Sequence, residues 1–111
     1  MRITRGHKLM TKKLKDIFNK TGSQESLGED AKVILKLFTP DSNWTWYATE
    51  FEEETGNFFG LVDGFESELG YFNLAELEEV TGPMGLPVER DLYFEPKSKT
   101  INNIKETIGH E

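Results

Sequence analysis

Apolar positions along this chain change period several times, and each change marks an element. Met10, Leu14, Ile17 and Phe18 fall on one helical stripe with lysines opposite. Thr11 is placed to cap that helix, which is expected to run to about Lys20, with Thr21-Gly22 as its stop. Residues 21–30 are polar and predict a loop. From Lys32 to Phe38 the period is two: Val33, Leu35 and Leu37 define an inner face, and Lys32, Ile34, Lys36 and Phe38 an outer one. Pro40-Asp41-Ser42-Asn43 is a turn. Trp44-Thr45-Trp46-Tyr47-Ala48-Thr49-Glu50 then reads as a strand of aromatic and β-branched residues. Alternation puts Trp44, Trp46 and Ala48 on one face, and the core is expected to condense on the two indoles.

A turn near Glu53-Glu54-Thr55-Gly56-Asn57 leads to a strand from Phe58 to Val62. Gly60 and Gly64 share a face of it, which would leave room for the tryptophans, or else mark a bulge. Leu69 to Phe72 predicts a fourth short strand. Asn73 caps a helix with Glu76 three residues on, Leu74, Leu77 and Val80 inward, and Gly82-Pro83 as the stop. Val88 to Phe94 reads as a last strand. Lys97 to Ile108 reads as a helix with Ile101, Ile104 and Ile108 on one stripe and Gly109 after it. These elements predict an α+β fold: a twisted antiparallel sheet of about four or five strands, with two or three helices packed mainly on one face. The strands starting near residues 32, 44 and 58 should form a meander. Residues 1–8 read as a loose basic arm, and residues 9–111 as a single domain.

Charge changes this picture more than composition does. The net charge of −7 is unevenly spread. Residues 1–36 carry nine basic and four acidic side chains, residues 37–96 one basic and fourteen acidic, and residues 97–111 three basic and two acidic. The middle segment therefore has a net charge of −13, which repels phosphate backbones and suits basic partners. Its plainer reading is a solvated, solubilising surface. No cysteine is present, so a disulfide framework, a thiolate nucleophile and a Cys-ligated zinc are excluded. The apolar runs are too short to span a bilayer, and a cytoplasmic protein is expected.

Candidate chemistry is sparse. The only histidines, His7 and His110, sit near the two ends, and neither a nucleophile elbow nor a phosphate-loop signature occurs. No cofactor is expected and no metal site is assigned, although the carboxylates could in principle serve a hydrolase or a magnesium ion. Glu50, Glu52, Glu53 and Glu54 form the densest acidic group, and decoration of a hairpin end is the preferred explanation. Arg90 is the single cation among the fourteen acids of the middle segment. A carboxylate from another element should hold its planar fork, with Glu50, Asp63, Glu66 and Glu68 as candidates. The functional alternative leaves Arg90 free to grip a phosphate or carboxylate ligand. Trp44, Trp46, Tyr47, Phe58, Phe59, Tyr71 and Phe72 could form a base-stacking platform, but they lack the basic residues that such binders interleave.

Leu9-Met10-Thr11, Phe38-Thr39-Pro40, Trp44-Thr45-Trp46-Tyr47, Phe59-Gly60, Gly70-Tyr71-Phe72, Glu76-Leu77 and Gly82-Pro83 through Phe94 occur in that order. In this combination the chain resembles an uncharacterised bacterial family of small proteins, a domain of unknown function often carried on plasmids and conjugative elements. The resemblance covers residues 9–96, leaving the basic arm and the isoleucine helix outside it. It implies no activity, cofactor or site. The leading expectation is a non-enzymatic accessory protein that binds a protein partner through its acidic surface. An acidic protein of a mobile element could do so by mimicking DNA. One alternative is a small enzyme or ligand-binding domain using Arg90 and the carboxylates Glu50, Glu52, Glu53 and Glu54, beside Tyr47. The other is a single-stranded nucleic-acid binder using the aromatic sheet face. Neither a nucleic acid nor a membrane is the expected partner.

Overall fold

The hairpin-forming middle of the chain builds the sheet, and both ends wrap it. In the computed structural model of the protein, residues 5–108 are described. Gly109, expected to stop the last helix, lies outside them, as do His110 and the first four residues of the expected arm.

Helix α1 (Lys12–Thr21) starts where Thr11 accepts a hydrogen bond from the Leu14 N–H, and ends at Gly22 with φ 68°. Two short 310 turns, kinked at Gly28, fill Glu25–Asp30. The strands are β1 (Lys32–Val33), β2 (Leu35–Phe38), β3 (Thr45–Glu52), β4 (Asn57–Asp63) and β5 (Ser67–Asn73). Helix α2 (Leu74–Glu79) follows β5 directly, and Asn73 caps it by accepting from the Glu76 N–H. Strand β6 (Glu89–Arg90), strand β7 (Lys99–Thr100) and helix α3 (Ile101–Ile108) complete the chain. Thr100 and Asn103 cap α3 reciprocally, each side chain accepting from the other's backbone N–H.

The main sheet is antiparallel with the order β5-β4-β3-β2-β6, so β2, β3 and β4 form the expected meander, β5 extends it and β6 closes the far edge. β1 and β7 pair separately. On one face Leu14 and Phe18 of α1 and Leu77 of α2 pack over Trp46, Ala48 and Phe58. On the other, Ile101 and Ile104 of α3 pack over Val33, Tyr47 and Leu61. Two helices thus share one face, and the third covers the opposite one.

Several positions differ from simple alternation, for one local reason. β3 bulges between Ala48 and Glu50, and the chain opposite breaks at Ile34. An extra residue shifts facing by one. Ile34 and Leu35 therefore bury together on the α1 side, while Val33, expected beside Leu35, joins the α3 side. A Cβ on Gly60 would collide with the Tyr47 carbonyl at this bulge, so Gly60 serves the backbone and not the indoles. Gly64 does make room for Trp44, whose ring its Cβ would strike. Trp46 is buried, but Trp44 is only half-buried, stacked on Trp46 with centroids 6.0 Å apart.

The remaining corrections lie after β5. Val80 is exposed, because α2 ends at Glu79. Only Glu89 and Arg90 of the expected Val88–Phe94 strand pair with β2. Asp91 turns the chain: its carboxylate accepts from the Tyr93 N–H and its carbonyl from the Phe94 N–H. Leu92 and Tyr93 are consequently exposed.

Candidate functional site

The two edges of the main sheet are treated differently, and the sequence candidates divide between them. β6 is the short edge, and residues 5–9 run beside it. Arg5 Nε donates to the Val88 carbonyl at 2.6 Å, and His7 Nε2 accepts from the Arg90 N–H at 2.9 Å. Leu9 and Met10 are buried. The described part of the expected loose arm is therefore an ordered cover over an edge that would otherwise offer free backbone groups.

Arg90 is held by this cover. Its Nε donates to the Lys8 carbonyl at 3.0 Å, and among the described residues it is in no ion pair. The expected carboxylate partners are elsewhere. Asp63 belongs to β4, three strand spacings from β6, or about 14 Å. Glu66 and Glu68 lie further out, at β5, and Glu50 accepts from the Gln24 N–H at 3.2 Å. Spacing along the chain could not reveal that a main-chain carbonyl from the N-terminal segment takes the carboxylate's place.

The opposite edge, β5, is long and open. All seven of its residues pair with β4 without a bulge, and its outer side meets no strand among the described residues. On the α3 side of the sheet, Leu69 and Tyr71 extend past the helix and are 42% and 79% exposed. Tyr71 meets the Phe59 ring edge-on at 5.0 Å. On the other side Glu68 lies in register with Val62 and Trp46. At the hairpin tip, Phe65 is 95% exposed and stands edge-on to Trp44 at 5.6 Å. Glu66, Glu68, Glu76, Glu78 and Glu79 are all exposed on β5, its preceding turn and α2.

The Glu50–Glu54 group does not converge. Glu52 and Glu54 are exposed at the β3–β4 hairpin end, and Glu53 pairs with Lys15 at 3.7 Å on the surface. Glu50 and Glu52 line a shallow cavity of about 400 Å³ beside Phe18, Phe59 and Tyr71. No group of three or more metal-ligating side chains occurs among the described residues. Tyr47 is buried under α3, with the Lys36 ammonium 5.9 Å from its ring centroid.

Two polar residues that sequence reasoning passed over fix the architecture around these surfaces. Gln24 is buried, and its side chain donates to the carbonyls of Lys32 and Thr49 while accepting from the Lys32 N–H. Asp41 receives the N–H groups of Met84 and Leu86, and a Cβ on Gly82 would run into its carboxylate. Asp41 therefore anchors the Gly82–Leu86 loop beside a hollow walled by Trp44, Trp46 and Pro83.

Residues 9–107 match the family model described as "Protein of unknown function (DUF2958)". The chain belongs to that family. The DUF2958 match takes in α3, which the sequence resemblance left out, and begins at Leu9, after the basic arm. No curated protein and no solved structure matches the chain. No described helix is long and apolar enough to cross a membrane.

Proposed function

We propose that this DUF2958 member is a non-enzymatic, cytoplasmic binding protein that takes an extended, basic segment of a partner protein onto its acidic β5 edge. The observation that carries this reading is the contrast between the edges: β6 is covered by Arg5, His7 and Lys8, while the outer side of the seven residues of β5 meets no strand among the described residues. An unpaired edge supplies main-chain hydrogen bonds to an added strand, and side chains on either side select its sequence. Leu69 and Tyr71 favour apolar residues on one side of the incoming strand. Glu66 and Glu68 favour lysine or arginine on the other, and they repel a second acidic copy of the same edge.

On a mobile element, such a protein could engage the nucleic-acid-binding surface of a host enzyme, with its carboxylates standing where phosphates would. That finer reading rests on the acidic middle segment and on the resemblance to plasmid-borne proteins. The base-stacking alternative is less well supported, because Trp46, Tyr47 and Phe58 are buried in the two cores.

Amide chemical-shift mapping with a short peptide alternating Lys and Val tests the reading. Shifts and new exchange protection should concentrate in residues 67–73, weaken with added salt, and be absent with a peptide alternating Glu and Val. Shifts confined to other strands, or equal binding of both peptides, would remove the β5 edge as the site.

A further inference from the structure

Across the molecule from β5, the side chains around Arg90 form a different kind of surface. A cleft of about 430 Å³ opens between α1 and the segment that follows β6. Its walls carry Lys13, Lys20, Lys36, Arg90 and Lys97, against the two carboxylates of Asp91 and Glu95. In a chain of net charge −7, five cations facing two acids is a local reversal of sign. Asp91 is moreover fully engaged within the protein. One oxygen meets the Lys36 ammonium at 3.3 Å, and the other accepts from the Tyr93 N–H at 3.0 Å. Lys13, Lys20 and Lys97 make no ion pair among the described residues. The floor is apolar, built from Leu14, Ile17, Ile34, Leu35 and Phe94.

Lys97 adds an independent sign. It has φ 69°, the one positive φ at a non-glycine among the described residues. Glycine would adopt that conformation without strain, so lysine stands there at some cost to stability. Residues kept against stability are found where a side chain is needed for function.

We infer that this cleft binds a small phosphorylated molecule, with the phosphate held by Arg90 and the surrounding lysines and a flat or apolar body lying on Leu14, Ile17 and Phe94. The volume is that of an ordinary small-molecule site. A dianionic phosphate suits several converging cations better than a monocarboxylate does, and an arginine fork matches its oxygens. The cleft does not depend on the β5 edge, so either assignment can fail alone.

Adenosine 5′-monophosphate is the probe, compared by calorimetry with inorganic phosphate, adenosine and citrate. It should bind at least about tenfold tighter than any of the three, and its amide shifts should map to residues 11–20 and 90–97. Lys97→Gly should weaken its binding at least about fivefold while leaving the melting temperature unchanged or higher, a combination that a purely structural lysine would not produce. Lys13→Ala, on the exposed side of α1, should weaken binding without unfolding the protein. Binding that is absent, that maps elsewhere, that citrate matches, or that ignores both substitutions would overturn the inference.

Discussion

Trp44 and Trp46 show what side-chain spacing can and cannot say about a single residue. Alternation places both on one face, and they stack there. It could not say that Trp44 precedes β3 and is only half-buried against Phe65. Gln24 is the opposite case. Within a polar run it carries no signal, yet its side chain closes three backbone groups, two at Lys32 in β1 and one at the bulge of β3. A bulge leaves its extra residue unpaired, and Thr49 is that residue; the Gln24 amide satisfies its carbonyl at 2.8 Å. Gln24→Ala would strand the Thr49 carbonyl in a buried position, because Thr49 is only 2% exposed. Each unsatisfied buried group costs roughly 1–3 kcal/mol, and the two Lys32 groups can turn to water, so a loss of about 2–3 kcal/mol is expected. Urea denaturation of the variant measures this, and a loss under about 0.5 kcal/mol would show that the bulge does not need the amide.

At the scale of elements, the helices and the central hairpins were legible because period, caps and turns agree. Thr11, Gly22, Asn73 and Gly56 each do what their local chemistry predicts. What was not legible depends on contacts between distant segments. The reading of Val88–Phe94 as one strand failed because Asp91 takes the chain into a turn, and the arm 5–9 could not be matched to β6 without the fold. Here too the candidate site was only half visible: Arg90 stood out by charge, but the lysines it joins come from α1, β2 and the segment before β7. The arm makes a measurable claim. If His7 and Arg5 cover the β6 edge, the Arg90 amide is protected from hydrogen exchange by His7 and not by a neighbouring strand. His7→Ala should speed exchange at Arg90 by about tenfold or more, while the amides of β3 and β4 keep their rates. Unchanged exchange at Arg90 would mean that the cover is not formed in solution.

At the scale of the molecule, charge and fold separate two surfaces that a net charge of −7 hides. Most acids of the middle segment are displayed on β5, α2 and the hairpin ends, while Asp91 and Glu95 line the cleft. The cations of the cleft come from the first third of the chain, from Arg90 and from Lys97. A protein with a basic patch is open to the suspicion that it binds nucleic acid, so the geometry must decide. Duplex affinity comes from several cations spread along a backbone, each releasing counterions from a phosphate. Here the five cations line one hollow of about 430 Å³, the size of a single small-ligand site. A strand or duplex seated there would also bring the rest of its phosphates into the field of a chain whose middle segment has a net charge of −13. At about 0.15 M salt this repulsion is screened beyond roughly 8 Å but not at contact. Labelled single-stranded and duplex oligonucleotides should therefore show no change in fluorescence anisotropy at micromolar protein, while the mononucleotide still binds. Tight oligonucleotide binding that weakens steeply with salt would reverse this, and would make the cleft one end of a longer nucleic-acid track.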